Sequence, residues 1–503
     1  MNVRVRRPAW VQLSELTRYR WLEMLPGLSV WVTLITAVVV SIFAPVVAIG
    51  FIVVFDVFWL IRVLYTMSYL IIAFGQYRRT ITVDWYQRMT TLPDWQNIYQ
   101  LIIVPTASEP YEVLRGTFES LAKVAFPQHH MIVVLAIEGR NATTLRPIAE
   151  RLRQEYESIF TTFLVTEHPD SIIGEVAGKG ANGAWAGRKA QELIDALQIP
   201  YTNVLVSTFD ADSVAHPQYF SYLTYTFLTH PDRHHTSYQP IPLFHNNVWD
   251  ALPMMRVVAA STTIWLLGDA ARPERLLTFS SHSMPFTALV DVGFWQTDCV
   301  SEDSRIFLQC LVHYDGRYTV TPMFIPISMD TIDAPSIWRS MVNQYKQIRR
   351  WAYGTENLPY MIWNFLSNPR MPRLLKWRYI WNQFEGTYSW ATAPLLITLL
   401  GWLPFQFHNA ALDTSVLAHN APMVTQRLLL GAMLGLVASA VVTTVMLPRE
   451  NHQARWYEWI MMVGQWFLLP ITMIAFGSIP AIEAQTRLML GKYLGFWVSE
   501  KTR

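Results

Sequence analysis

From Gly27 to Gln76 only Asp56 and Arg62 carry charge, and Pro45 interrupts the run just after Ala44. A single helix of about fifty residues would be about 75 Å long, roughly twice the length needed to cross a ~30 Å hydrocarbon core. The stretch therefore predicts two spanning helices, with Pro45 as the natural break between them. A cleaved signal peptide is excluded, because its apolar segment runs only about 7–15 residues and no second span follows it. Arg4, Arg6, Arg7, Arg18 and Arg20 precede the first span, and Arg78 and Arg79 follow the second. Cytoplasmic flanks carry the excess of basic residues, so both ends are expected inside, with a tight hairpin outside.

Apolar residues reach 52% and charged residues only 15%, which excludes a disordered chain. Two cysteines, Cys299 and Cys310, exclude a disulfide scaffold, and a net charge of +2 gives no case for nucleic acid. From about Asp84 to Ser336 the pattern is that of a water-soluble domain. Runs without Asp, Glu, Lys or Arg then return at Gly386–Ala411 and Leu428–Pro448, and a third apolar run, Trp459–Ile482, contains Pro470. Three crossings after a cytoplasmic domain would leave the tail outside, whereas Lys501-Thr502-Arg503 favours the inside. Either Ala481 to Trp497 is a further crossing or the third run is re-entrant around Pro470, and an inside tail is expected. Asp56 and Arg62 sit in the second span, as a charge pair that orients the bundle or as a polar lining for something that crosses. The chain thus divides into a two-helix N-terminal region (1–83), a soluble domain (84–335), amphipathic interface helices (336–385) and a C-terminal membrane region (386–503).

The soluble domain alternates short β-rich runs with helical patterns. The runs are Gln100–Val104, Met131–Ile137, Thr162–Val165 and Asn203–Ser207, separated by Tyr111–Val124, Thr144–Ile159 and Ala181–Leu197. Such alternation predicts an α/β fold with a doubly wound, mostly parallel sheet, whose ligands bind beyond the carboxyl ends of the strands. The segments there are Pro105-Thr106-Ala107-Ser108-Glu109-Pro110, Glu138-Gly139-Arg140 and Thr208-Phe209-Asp210-Ala211-Asp212-Ser213. Three polar clusters thus converge on one edge.

Asp210-Ala211-Asp212 alone reads as an ordinary turn, but at a strand end in a βαβ series it suits a hard divalent cation. Mg²⁺ combines one or two carboxylates with substrate phosphates, and neutralises charge as a diphosphate leaves. Ser301-Glu302-Asp303 opens a helical run, Ser304 to Val312. Acids are favoured there by the helix dipole and by capping in any case, and the chemical reading makes Asp303 a general base. Gln347, Arg350 and Trp351 share one face of an amphipathic segment that includes Ile337, Met341, Tyr345, Ile348 and Ala352. An interfacial Trp/Arg anchor would look the same; the chemical reading gives phosphate contacts to Gln347 and Arg350 and a sugar platform to Trp351. Paired histidines at His129–His130 and His234–His235 lack partners at zinc-ligand spacing and read as loop residues.

Taken together and in this order, the motifs resemble those of membrane-embedded family 2 glycosyltransferases, the cellulose, hyaluronan and chitin synthases. That family carries an Asp-x-Asp, a Thr-Glu-Asp and a Gln-x-x-Arg-Trp, matched here by Asp210-Ala211-Asp212, Ser301-Glu302-Asp303 and Gln347…Arg350-Trp351. Pro105–Pro110 is similar to the segment that opens the nucleotide site of cellulose synthases. Phe496-Trp497-Val498-Ser499-Glu500-Lys501 is similar to their Phe-x-Val-Thr-x-Lys gating motif. The resemblance implies a GT-A domain between membrane helices, at the cytoplasmic face of the cell membrane, using a UDP-sugar and Mg²⁺ or Mn²⁺. It makes Glu302-Asp303 the catalytic motif, with Asp303 the base of an inverting displacement. It places Thr106, Glu109, Glu138, Lys179, Asp210, Gln347 and Arg350 on the nucleotide sugar, with Asp210 and Asp212 on the metal. Trp351 would stack on the acceptor, and Phe496, Val498, Ser499 and Lys501 would form a gating-like tail. Glu138 stands where relatives carry Asp, and Ser280-Ser281-His282-Ser283 replaces their Gly-Ser or Gly-Thr ahead of the base. The chain also ends at the gating motif, where cellulose synthases continue.

The expected function is extension of a polysaccharide coupled to translocation through the lipid bilayer, with a possible accessory export subunit. The alternatives are a non-processive enzyme acting on a lipid acceptor and a non-catalytic membrane partner of a synthase.

Overall fold

The computed structural model describes residues 11, 15–170, 172–407, 412, 414–447, 455–495 and 497. The long apolar stretch forms α1 (Leu16–Phe43) and α2 (Pro45–Thr80), which meet at Ala44. Pro45 occupies the first turn of α2, where its missing amide costs nothing. A short α3 (Trp85–Thr90) leads into the soluble domain.

That domain runs β1 (Tyr99–Thr106), α4 (Tyr111–Ala122), β2 (Met131–Glu138), α5 (Ala142–Tyr156), β3 (Thr162–His168), α6 (Lys179–Ala196) and β4 (Val204–Thr208). It continues through β5 (Val214–Ala215), α7 (Tyr219–Thr229), β6 (Thr236–Phe244), α8 (Pro253–Ala270), β7 (Ser283–Pro285), α9 (Phe286–Asp291), α10 (Glu302–His313) and β8 (Thr319–Met329). The eight strands form one sheet in the order β3-β2-β1-β4-β7-β6-β8-β5. The half from β3 to β4 is parallel, as the βαβ pattern predicts. Beyond β4 the sheet is mixed, because the three-residue β7 inserts antiparallel between β4 and β6, while β6 and β8 run parallel. Leu101 to Val104 are buried on both faces, one against α4, α5 and α7 and the other against α6, α9 and α10. Helices covering both faces explain why these strands read as unbroken apolar runs.

After β8 come α11 (Ile337–Ala352), α12 (Asn357–Ser367), α13 (Arg373–Thr398), α14 (Val416–Met446) and α15 (Trp456–Met489). Among the described residues α1, α2, α14 and α15 are long and apolar enough to cross a membrane. α13 falls short on composition, since Arg373, Lys376, Arg378 and Glu385 occupy its first half. It nevertheless lies antiparallel to α2, with Glu385 at Arg62 and Gly401, just beyond its end, at Ile52. α14 runs parallel to α2, with Leu417 against Gly50, Gly431 against Leu60 and Gly435 against Val63.

Two sequence expectations are corrected. Of the two alternatives for the third run, Ala481–Trp497 forms no crossing of its own among the described residues, because α15 continues through Met489, loosened into a 3₁₀ turn at Gln465–Leu468 and a π turn at Ile474–Ser478. Pro470 and Pro480 each remove an amide donor, and these turns absorb the loss without breaking the run. Asp56 and Arg62 do not pair with each other. Six positions apart they point to different sides of α2; Arg62 instead pairs with Glu385 of α13 (Nη2–Oε2 3.2 Å) and lies 4.8 Å over Trp59. Asp56 is buried beside Thr425 of α14.

Candidate active site

Three separate pieces of chain meet at one ammonium group. Lys179, the first residue of α6, directs Nζ to Asp210 Oδ1 at 2.8 Å and to both carboxylate oxygens of Asp303 at 2.9 and 3.1 Å. Asp210 follows β4, and Asp303 lies in the first turn of α10, where the helix dipole favours negative charge. Burial alone would depress the lysine, but the charges of Asp210, Asp303 and Glu302 override it and hold Lys179 well above its ordinary value. One ammonium and two carboxylates thus form an ionic knot.

The loop before β7 staples both acids. Ser280 Oγ donates to Asp210 Oδ2 at 2.5 Å, and Thr278 Oγ1 donates to the Asp303 carbonyl at 2.6 Å. Ser281, directly after Ser280, takes a left-handed backbone (φ 64°), a conformation that costs about 1–2 kcal/mol outside glycine. His282 is buried, with Nδ1 3.0 Å from the Phe279 carbonyl. Because a carbonyl only accepts, Nδ1 carries the hydrogen, and burial brings this imidazole down to about 4, so it is neutral.

Glu302 packs against the start of α6; a Cβ placed on Gly180 would stand 2.9 Å from the Glu302 Cβ. Its carboxylate is buried and makes no hydrogen bond among the described residues. Burial, then the charge of Asp303, pushes it up to about 8, against the opposing charges of Lys179 and Arg350. A second buried network holds the start of α10 from below. The Glu356 carboxylate accepts from the amides of Val300 and Ser301 and from Ser301 Oγ (3.0, 3.1 and 2.7 Å), while Arg305 donates to Asn357 and Gln296 (2.7 and 3.0 Å).

Asp212 is fully buried, and its Oδ2 accepts the Asp330 amide at 2.9 Å. Asn246 bridges the Asp212 carbonyl and Asp330 Oδ1 at 3.1 and 3.0 Å, so the ends of β6 and β8 fix the second acid. Glu109 Oε2 accepts from Thr106 Oγ1 and from the amides of Ala107 and Ser108 (2.7, 2.8 and 3.0 Å), which shapes the loop after β1. Glu138 is buried at the end of β2 with Arg140 Nε at 3.3 Å; burial raises it and Arg140 opposes the rise. Both lie on the predicted edge, though no hydrogen bond joins them to the Lys179 knot among the described residues.

On α11, Gln347 accepts from Gln344 (3.2 Å), and Trp351 lies 5.8 Å from the Phe244 ring. Gln347 and Trp351 line a cavity of about 10 Å³, room for one water, together with Val258, Asp330 and Gln344. Arg350 is close enough to Glu302 for their charges to interact. Glu483 of α15 anchors α11 by accepting from Tyr345 and Arg349, both at 2.7 Å. The gating-like positions Phe496, Val498, Ser499 and Lys501 lie outside the described residues; Trp497, between them, sits 4.8 Å from Lys346 Nζ of α11.

The oxygen-only donor set of Asp210 and Asp212 fits a hard divalent cation, and the Lys179 ammonium on Asp210 shows that this acid takes a positive charge. Among the described residues no group of three or more His, Cys, Asp and Glu is gathered for a metal, so phosphate oxygens would complete any such site. His235 pairs with Asp232 at 2.6 Å, away from the knot.

A sheet of this order with acids gathered at its carboxyl edge, built onto long apolar helices, defines a membrane-associated GT-A glycosyltransferase. The family described as "Glycosyl transferase family group 2" matches residues 205–475, more than half of the chain, and the chain belongs to that family. No curated protein matches the sequence. Among solved structures, a mannosyltransferase from Pyrobaculum calidifontis, in complex with GDP-Man and Mn²⁺, is 14% identical. The match covers 75% of this chain and 98% of that one, with a TM-score of 0.43. S. aureus TarS 1-349 in complex with UDP-GlcNAc is 12% identical over 69% of this chain and 92% of that one, with a TM-score of 0.36.

Sequence reasoning missed Thr278, Asp330 and Glu356, and marked Ser280 only as part of a departure from relatives. Each acts on a motif residue tens of positions or more away, as with Ser280 and Asp210 at a separation of 70, so no local pattern marks them. Arg305, also missed, joins Gln296 and Asn357 beneath the start of α10.

Proposed function

We propose that the chain is an inverting glycosyltransferase that extends a polysaccharide from a UDP-sugar at the cytoplasmic face of the cell membrane. The observation that carries this reading is the Lys179 bridge. It holds the nucleotide-side acid Asp210 and the base Asp303 within one ammonium's reach. Asp303 takes the proton of an acceptor hydroxyl as that oxygen bonds to the anomeric carbon, and the nucleoside diphosphate departs with the electrons of the broken C–O bond. Lys179, Gln347 and Arg350 hold the diphosphate, Thr106, Glu109 and Glu138 shape the nucleoside end, and Trp351 stacks on the acceptor sugar. Asp210 and Asp212 would hold Mg²⁺ or Mn²⁺, which when bound offsets charge on the leaving diphosphate. Burial raises Glu302 to about 8, which favours its protonated form near neutral pH.

In the membrane, α1, α2, α13 and α14 cross. α13 is included because it passes α2 in the opposite sense, between Arg62 and Ile52, while α11, α12 and α15 attend the inner interface. Four crossings put the domain and the tail on the same side, and the basic flanks make that side the cytoplasm. An accessory subunit that carries the product outward fits this arrangement. A lipid acceptor is the second reading. It is favoured by the anchoring of α11, which carries Trp351, to the long apolar helix α15 through Glu483.

The test uses protein in lipid nanodiscs, a panel of radiolabelled UDP-sugars with Mg²⁺ or Mn²⁺, and Asp303→Asn as control. A large, water-soluble product from one donor, lost by about 10²-fold or more in Asp303→Asn, is expected. A small, solvent-soluble product replaces the first reading with the second, and full activity of Asp303→Asn removes the base.

A further inference from the structure

Two helices that start far apart in sequence place the same pair of residues at the same depth. Thr33 Oγ1 of α1 and the Tyr388 hydroxyl of α13 lie 2.7 Å apart. The two helices run in the same direction, since the beginning of α1 meets α12, just ahead of α13 (Tyr19–Trp363 rings 5.8 Å), and the body of α1 also packs against the turn Leu400–Gln406 that follows α13. Counting back from the Thr33–Tyr388 contact, Trp21 is twelve residues away and Trp377 eleven, about 17–18 Å along either axis. Arg18 and Arg373 are each fifteen residues back, about 22 Å. Each arginine therefore sits about one turn below an indole, and the two pairs share a level.

That level is a membrane boundary if, as proposed above, α1 and α13 cross. From Trp21 to the outer tip at Phe43 the helix rises about 33 Å, close to the ~30 Å of a hydrocarbon core. Both indoles are turned outward, Trp21 64% and Trp377 69% exposed, and Leu374 between Arg373 and Trp377 is 83% exposed. Arg18, Arg373 and Arg378 are exposed, and among the described residues no carboxylate stands within ion-pair distance of them. Indoles at the acyl–headgroup border, with the guanidinium groups of Arg18 and Arg373 one turn further out and Arg378 level with Trp377, match the layering of a leaflet, in which phosphate oxygens lie outside the acyl carbonyls. Guanidinium forks bind phosphate in two-point fashion, and unneutralised arginines favour lipids with net negative charge.

We propose that the outer face of α1 and α13 around Arg18, Trp21, Arg373, Trp377 and Arg378 is a binding surface for anionic phospholipid headgroups of the inner leaflet. Anionic lipid thereby clamps α13 to α1 at the point where the soluble domain joins the membrane bundle. Each arginine near an anionic surface is worth about a fivefold gain in local lipid, so three give a clear preference over zwitterionic lipid.

The test measures lipid next to the two indoles, not glycosyl transfer. Full-length protein is placed in nanodiscs in which a fixed minority of the lipid is brominated near the carbonyl end of its chains. That lipid is either phosphatidylglycerol or phosphatidylcholine, in a phosphatidylcholine background. The quenching of Trp21 and Trp377 is taken as wild type minus Trp21→Phe/Trp377→Phe. Brominated phosphatidylglycerol is expected to quench this share more strongly than phosphatidylcholine, by a margin approaching the fivefold enrichment of one arginine or more. The difference should vanish in Arg18→Gln/Arg373→Gln/Arg378→Gln, with quenching by phosphatidylcholine unchanged. Equal quenching by both lipids in the wild type, or a preference that survives the triple variant, overturns the anionic site while leaving the crossings intact. Absence of quenching by either lipid removes the proposed crossing of α1 and α13 itself.

Discussion

Glu302 offers a quantitative test of the site because its surroundings penalise the charged form. Its carboxyl moves from an ordinary 4.5 in the unfolded chain to about 8 in the fold, through burial and then the charge of Asp303. A raised acid stabilises the fold fully below pH 4.5, and that contribution is lost as pH climbs towards 8, after which it changes no further. At about 1.4 kcal/mol per pH unit, the loss across this window is on the order of 5 kcal/mol. Glu302→Gln keeps the shape and cannot ionise. The variant and the wild type should therefore melt together near pH 4.5 and separate progressively above it. By pH 8.5 the variant should be the more stable, by an amount on the order of 10 °C for a domain of this size. The assay is intrinsic-fluorescence melting in detergent at half-unit steps from pH 4.5 to 9. Groups distant from the Lys179 knot titrate alike in both proteins, so the difference curve reports Glu302 together with the charges it faces. A flat difference curve would refute the reasoning, since it requires Glu302 to ionise freely, with Lys179 and Arg350 fully offsetting its burial.

Further outcomes follow from the same geometry. Gly180→Ala forces a methyl to within 2.9 Å of the Glu302 Cβ, and should cost about 1–3 kcal/mol of stability and displace Lys179, seen as a lower melting temperature with reduced transfer. Wild-type melting and rates would show that the loop yields freely. Trp351→Ala should cut product length or rate far more than nucleotide affinity measured by calorimetry; equal losses in both would assign Trp351 to packing against Phe244. Chelation with EDTA should stop transfer, and Mg²⁺ or Mn²⁺ should restore it, whereas transfer that persists in chelator would remove the metal from Asp210 and Asp212.

Much of this architecture is legible because one-dimensional patterns determine it. The nearly uncharged run with Pro45 places α1 and α2, the apolar runs place β1 to β4, and the βαβ alternation places the acids at the ends of those strands on one edge. Period and composition suffice there, since each element must bury a face whatever its neighbours are. The motif residues Asp210, Glu302, Asp303, Gln347, Arg350 and Trp351 are likewise visible as types at spacings. What they touch is not. Which acid Lys179 would bridge, that Arg62 would choose Glu385 over Asp56, and that Ser280, Asp330 and Glu356 would fix the acids all depend on contacts across tens to hundreds of residues. The same holds for electrostatics. Glu302 and Asp303 are neighbours with similar side chains, and only packing under Gly180 buries the first so deeply that it retains a proton. The crossing proposed for α13 also came from tertiary structure, because its charged first half hides it in composition and only its run along α2 reveals its direction. Sequence determines which surfaces must leave water. Folding alone decides which charges meet once they have left it, because a buried charge takes its energy from the partners that the fold sets beside it.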